Sequence, residues 1–269
     1  YFAPLEGITG YIYRNTYEKH FGGFTKYFSP FITTNQHFGI QNKEKKDVAP
    51  ENNKGIYLVP QIMTNNAEQF RDMAEKMANF GYKEVNINLG CPSRTVVTKK
   101  KGSGFLAYPE ELNNFLDEIF WYCKDMEISL KTRIGMENPE EFERLMEIYN
   151  KYPLKELIIH PRLQIDYYNN HPNMEVFSYA VEKSKAPLCY NGDLFCVEDI
   201  KNFQKQYPTI ENIMLGRGPL KVPTLMKELA GEERDLNLWY DFHMELLDEY
   251  RTCAHAYYEA YPKQLGAQS

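Results

Sequence analysis

Residues 84–93 read Glu-Val-Asn-Ile-Asn-Leu-Gly-Cys-Pro-Ser. The first six have the apolar, β-branched character of a short strand, and Gly90 and Pro92 turn the chain out of it. Just upstream, Asn66–Phe80 places Phe70, Met73, Ala74 and Met77 at helical spacing. The same alternation extends in both directions. Strand character falls at Phe2–Leu5, Tyr27–Thr33, Ile56–Ile62, Glu84–Leu89, Glu127–Arg133, Glu156–His160, Pro187–Asn191 and Asn212–Gly216. Helical patterns separate most of these runs. Pro109–Lys124 opens on a proline followed by Glu110 and Glu111, as a first helical turn prefers. Asn138–Tyr149 has an Asn cap before Pro139, and Val197–Tyr207 and Leu220–Leu229 are also helical. Strands alternating with helices imply an α/β fold with a parallel sheet. Eight such units predict a closed (β/α)8 TIM barrel, with an open doubly wound sheet as the alternative.

The barrel is assigned to residues 1–230. A polar linker, Gly231–Asn237, leads into an amphipathic helix over Leu238–Tyr261, so residues 238–269 form a C-terminal helical segment. Lys43–Asp47 reads as a charged surface loop. A chain of 269 residues suits one large barrel, and no apolar run approaches the ~20 residues that cross a bilayer, so no membrane partner is expected. The cysteines at 91, 123, 189, 196 and 253 form no C-x-x-C pair, so no metal site is expected. An odd, scattered set favours a reducing, cytoplasmic setting. The net charge of −6 argues against a surface coated in nucleic acid while allowing a local basic patch.

In this fold the active site lies at the C-terminal ends of the strands. Six consecutive strand ends carry polar groups: Gln61, Asn88, Lys131 with Arg133, His160, Asn191-Gly192-Asp193, and Gly216-Arg217. Such a series points to one shared ligand. The loops after the last two strands suit a phosphate, because their glycines admit close backbone approach and Arg217 offers a fixed cationic fork. Pro219 can start a helix whose free N–H groups attract an anion; a pair of tight turns is the plainer reading. Lys131 lies within an apolar strand, where an amine is costly unless it meets an anion or an acceptor; otherwise it reaches the barrel rim. Gln61 and Asn88 suit the edge of a heteroaromatic ring or the capping of nearby loops. His160 points to the same barrel mouth. Cys91 sits in a Gly-Cys-Pro turn without a nucleophile's partners, and a thiol that is mostly protonated suits a general acid. Lys99, Lys100 and Lys101 stand on a loop at this face, where they grip a polyanion or merely solubilise the loop.

Taken in order, these motifs resemble the tRNA-dihydrouridine synthases. Ala3-Pro4-Leu5-Glu6-Gly7-Ile8-Thr9-Gly10 with Arg14 is similar to the family's first motif. Asn88–Ser93, running on to Gly102-Ser103-Gly104, resembles its catalytic loop. Lys131–Gly135, His160-Pro161-Arg162, Asn191-Gly192-Asp193 and Gly216-Arg217-Gly218 follow in family order. The resemblance implies FMN bound in the barrel mouth, NADPH as its reductant, and hydride transfer to C6 of a tRNA uracil. Cys91 would give the proton to C5. Ala3, Pro4, Leu5, Gln61, Lys131, His160, Asn191, Gly192, Asp193, Gly216 and Arg217 would hold FMN. Asn88, Arg133, Arg94 and Lys99–Lys101 would lie toward the substrate. Pro161 stands where the family has Gly, Leu163–Asn170 departs from its usual continuation, and the family's C-terminal helical domain is represented by one clear helix. Another FMN barrel acting on a free pyrimidine, as a dihydroorotate dehydrogenase does, is the nearest alternative. A flavin-free barrel binding RNA or a phosphorylated metabolite is the second.

Overall fold

Proline decides where the first strands break. Pro30 and Pro60 have no N–H to give a ladder, so the runs expected at 27–33 and 56–62 each split in two. The computed structural model, which describes residues 1–34 and 40–260 with side chains to residue 256, shows the pieces as β1 (Tyr27–Phe28), β2 (Ile32–Thr33), β3 (Leu58–Val59) and β4 (Gln61–Met63). Register survives the breaks: β1 pairs with β3 and β2 with β4, all parallel. Pro60 still accepts the Asn86 N–H at 2.9 Å, so only its donor side is lost. The later strands run unbroken as β5 (Glu84–Leu89), β6 (Glu127–Thr132), β7 (Leu157–Ile159), β8 (Leu188–Asn191) and β9 (Asn212–Met214). From β4 to β9 they pair in sequence order.

The first expected strand shrinks to a single rung. Phe2 bridges Tyr27 on one side and Leu215, just past β9, on the other. Its N–H donates to Lys26 O at 2.8 Å, and the Ala3 N–H donates to Leu215 O at 2.8 Å. Pro4 then ends the pairing, because it has no donor to continue it. This rung joins the β9 edge of the seven-stranded sheet to β1 of the two-stranded one, and the fold is a TIM barrel.

The helices are α1 (Tyr11–His20), α2 (Asn42–Val48), α3 (Ala67–Asn79), α4 (Arg94–Val97), α5 (Pro109–Tyr122), α6 (Glu141–Tyr149), α7 (Met174–Lys183), α8 (Val197–Gln206), α9 (Arg217–Lys221), α10 (Leu225–Leu229) and α11 (Leu236–Ala260). α3 follows its sequence pattern: Asn66 caps it, and Phe70, Met73, Ala74 and Met77 are all buried. Lys43–Asp47 is helix rather than the expected loop, because Glu44 and Gln41 form a capping box. α9 opens at Arg217, two residues before the expected proline start.

α11 begins two residues before its expected start and packs on α1. Phe242, 1% exposed, inserts among Tyr13, Tyr17, His20 and Phe21. Glu245 pairs with Lys19 and His20, and the Trp239 indole donates to Thr224 Oγ1 at 3.0 Å. Residues 261–269 of the expected C-terminal segment lie outside the described residues. Among the described residues no helix is long and apolar enough to cross a membrane, and no cluster of three or more metal-ligating side chains occurs.

Candidate active site

The strand ends open into one cavity at the C-terminal mouth of the barrel. Its wall includes Ala3, Pro4 and Leu5 from the seam, Gln61 after Pro60, and Asn88 and Cys91 from the end of β5. Lys131, Arg133, His160, Asn191-Gly192-Asp193 and Gly216-Arg217 complete it. Every residue expected to hold the cofactor therefore faces this one space, with Cys91, Asn88 and Arg133 beside them. Arg94 and Lys99–Lys101 do not line it. Arg94 is exposed at the start of α4, and Lys100 pairs with Glu111 and lies 3.8 Å over the Tyr108 ring. These cations sit between β5 and α5, on the same face but outside the cavity.

Asn88 is the hinge of the Cys91 turn. Its Oδ1 accepts the N–H groups of Gly90 and Cys91 at 3.0 and 2.9 Å, and its Nδ2 donates to Gln61 Oε1 at 2.7 Å. The turn is braced from the far side by Gly102 and Ser103. Ser103 Oγ donates to Cys91 O at 2.9 Å. Gly102 has φ +55°, and a Cβ there would meet Cys91 O at 2.8 Å, so only glycine fits. Burial pushes the Cys91 thiol up from its ordinary value, against smaller downward pulls from the Ser93 backbone and Arg133. The thiol is therefore protonated at neutral pH.

Arg133 is fully buried, and its guanidinium spends its donors on backbone carbonyls: Gly90 at 3.0 Å, Leu163 at 2.6 Å and Tyr167 at 2.5 Å. It ties the Cys91 turn to the loop after β7. Burial pulls it down to about 10, which leaves it a cation at neutral pH. Lys131 differs, because among the described residues its Nζ meets no hydrogen-bond acceptor or carboxylate. Burial, with Arg133 adding repulsion, lowers it to about 8. His160 is held neutral by burial and by the cations Lys131, Arg133, Arg162 and Arg217 around it. Its Nε2 lies 3.0 Å from Arg162 Nη1, which can only donate, so the ring proton sits on Nδ1.

Asp193 gathers the two remaining arginines. Arg162, 1% exposed, reaches its Oδ2 at 2.5 Å, and Arg217 pairs with its Oδ1. Burial alone would raise this carboxyl, but the two guanidinium groups hold it below the usual range. Behind it, a Cβ on Gly192 would strike the Tyr190 hydroxyl at 2.0 Å, and one on Gly218 would strike Leu194 O at 2.4 Å. The cavity therefore has a donor-rich, cationic wall: Lys131 without a counter-charge, Arg217 at the rim, and backbone at Gly192 and Gly216.

Several lining residues were not among those expected at the site. Glu6, Pro30, Phe31 and Pro92 enter through loop geometry. Tyr168 comes from the segment whose pattern departs from the family. Its ring lies 5.1 Å from the Arg217 guanidinium, 5.6 Å from that of Arg133, and 6.3 Å from His160. An aromatic residue following the run of strand-end cations was the one available hint.

The family model described as dihydrouridine synthase matches residues 1–265. The chain belongs to the dihydrouridine synthase family. Among curated relatives, the tRNA-dihydrouridine synthase B of Pasteurella multocida is 26% identical over 228 residues, covering 84% of this chain and 67% of that protein. The tRNA-dihydrouridine(16) synthase of Pseudomonas syringae pv. tomato is 24% identical over 261 residues, covering 93% and 82%. The tRNA-dihydrouridine synthase B of Escherichia coli K12 is 26% identical over 232 residues, covering 84% and 70%. Among solved structures, a 2-naphthoyl-CoA reductase has TM-score 0.60 at 12% identity, covering 83% of this chain and 47% of that one. The old yellow enzyme homologue from Zymomonas mobilis has TM-score 0.53 at 9% identity, covering 88% and 87%. At such identities these structures speak for the barrel alone. In this dihydrouridine synthase family member, the Asn88–Cys91 turn and the Lys131, His160 and Arg217 wall face one space.

Proposed function

We propose that this chain reduces uridine in tRNA, using FMN held at the barrel mouth, NADPH as the reductant and Cys91 as the acid. The observation that carries the flavin reading is Lys131: a largely buried amine that meets no acceptor or carboxylate among the described residues, in a cavity otherwise rich in donors. Such a wall fits a ligand that is anionic at one end and carries carbonyl or imine acceptors along a planar edge. Arg217 and the backbone at Gly192 and Gly216 would hold the phosphate. Gln61, Lys131 and His160 would face the ring, and Ala3, Pro4 and Leu5 its side. Bound there, the flavin would supply hydride for C6 of the uracil. The Cys91 Sγ proton would go to C5, so that C5 and C6 each gain one hydrogen and their double bond becomes single. A base flipped from a loop, where stacking is weak, reaches such a recessed site at least cost.

The division into a catalytic barrel, 1–230, and a C-terminal helical segment from 238 fits this reading, with α11 and the Lys99–Lys101 loop on the tRNA side. The setting would be the cytoplasm, where tRNA and NADPH are both at hand. Purified protein should be yellow, and tRNA treated with it and NADPH should gain about 2 Da at a defined uridine. A colourless protein that takes up no FMN would overturn the flavin reading. A yellow protein that oxidises dihydroorotate and leaves tRNA unchanged would favour the small-molecule flavoenzyme.

A further inference from the structure

Alternate residues of β5 face the barrel interior, and three of them are polar: Glu84, Asn86 and Asn88. All are buried, as are Ser129 on β6 and Gln61 on β4. They form an unbroken column of hydrogen bonds up the inside of the barrel. Glu84 Oε2 pairs with Lys26 at 2.9 Å, and its Oε1 accepts from Ser129 Oγ at 2.8 Å. Ser129 Oγ accepts from Asn86 Nδ2 at 2.9 Å, and Asn86 Oδ1 accepts from Gln61 Nε2 at 2.8 Å. Gln61 Oε1 accepts from Asn88 Nδ2 at 2.7 Å, and Asn88 Oδ1 accepts the Gly90 and Cys91 N–H groups.

The two ends of the column dictate its direction. Glu84, paired with Lys26, accepts the Ser129 O–H, and a backbone N–H only donates. With Glu84 at the bottom and the Cys91 turn at the top, each amide between them has one self-consistent orientation. Both amide oxygens point into the column. What Gln61 and Asn88 keep for the cavity is N–H, so the ring edge they meet must carry acceptors. A reversed amide at either position would put an oxygen toward the ligand and release the Cys91 turn.

We propose that Glu84, Ser129 and Asn86 are positioning residues: from the closed interior of the barrel they fix the amide orientation of Gln61 and Asn88, and through Asn88 the seat of Cys91. The flavin part of this rests on the function proposed above; the Cys91 part does not. Ser129→Ala removes the donor to Glu84 and the acceptor for Asn86 together, while changing little volume. Three readouts separate positioning from mere support: FMN affinity of the apoprotein with the bound flavin's visible spectrum, the alkylation rate of Cys91 by iodoacetamide in the apoprotein resolved by peptide mass, and thermal unfolding. Ser129→Ala should lower FMN affinity about tenfold, the scale of one unsatisfied buried group. It should also shift the flavin band and speed Cys91 alkylation several-fold, and Ser129→Thr, which keeps the hydroxyl, should restore both. Wild-type affinity, spectrum and alkylation with only a lowered melting temperature would overturn the proposal. If wild type itself binds no FMN, the flavin reading fails and Cys91 alkylation alone decides the column. If Ser129→Ala does not fold, Ser129→Cys, a weaker donor of similar size, carries the same comparison.

Discussion

Cys91 is held in place by the side chains of Asn88 and Ser103, which grip its backbone, and kept protonated by its burial, two conditions a proton donor needs. Cys91→Ala should therefore keep the flavin and lose uridine reduction by about 10²–10⁴-fold, read by turnover on tRNA beside the visible spectrum. Full activity would remove Cys91 from the acid role. Lys131 makes a pH prediction. Its folded value, about 8, lies below the ordinary lysine value. Above about pH 8 the folded apoprotein has released a proton that the unfolded chain still holds up to about 10.4, so stability rises with pH across that window. Urea unfolding of apoprotein should show the rise, and Lys131→Met should flatten it. Arg217→Ala should weaken FMN about tenfold or more, the scale of a charge-assisted hydrogen bond, read by flavin fluorescence titration. These residues were legible because each stands at a strand end or in a Gly-Cys-Pro turn. The duties of Asn88 and Arg133 were not. Asn88 takes its orientation from Gln61, 27 positions away, and Arg133 reaches Leu163 O, 30 positions on, and no sequence pattern links either pair.

At the scale of elements, periodicity served where one face is apolar and the other wet, as in α3. It gave no helix at α1, whose buried side chains include Arg14 and Thr16 beside Ile12, Tyr13 and Tyr17, or at α7, where few side chains are buried. It also failed at α2, whose helix depends on a capping box and on Asp47 accepting the Tyr11 N–H at 2.8 Å. α11 depends on tertiary anchoring as well. Among the described side chains of α11, Phe242 is the one fully buried ring against α1, so Phe242→Ala should cost about 3–5 kcal/mol. Denaturant unfolding measures that cost. On the proposed function, the same variant should lose tRNA affinity at temperatures where FMN still binds, because among the described residues the cavity wall contains none of α11.

The molecule as a whole is acidic, at net charge −6, and yet the mouth of its barrel is lined with cations. Association with a polyanion must then work through a few local contacts. Lys99→Glu with Lys101→Glu should weaken tRNA binding and lower the salt slope of log K by about 2, roughly one unit per lysine, leaving FMN binding unchanged. An unchanged slope would mean that the loop is only a solvated surface. The barrel class was legible from eight alternating units. Its seam was not, because a strand reduced to one residue by Pro4 still looks like strand in sequence.

That seam has a thermodynamic consequence. Phe2 and Ala3 make the rung that joins β1 to the β9 side of the barrel, and Ala3–Leu5 and Gly216–Arg217 at this seam also line the cavity. A ligand seated there would clasp the seam from inside, so that occupancy and ring closure become one equilibrium. The amide protons of Ala3 and Leu215, which bond across the seam to Leu215 O and Tyr1 O, should then exchange with solvent faster in apoprotein than those of β5 and β6. Loading with FMN should slow them selectively, by a factor that tracks the free ligand concentration over its dissociation constant.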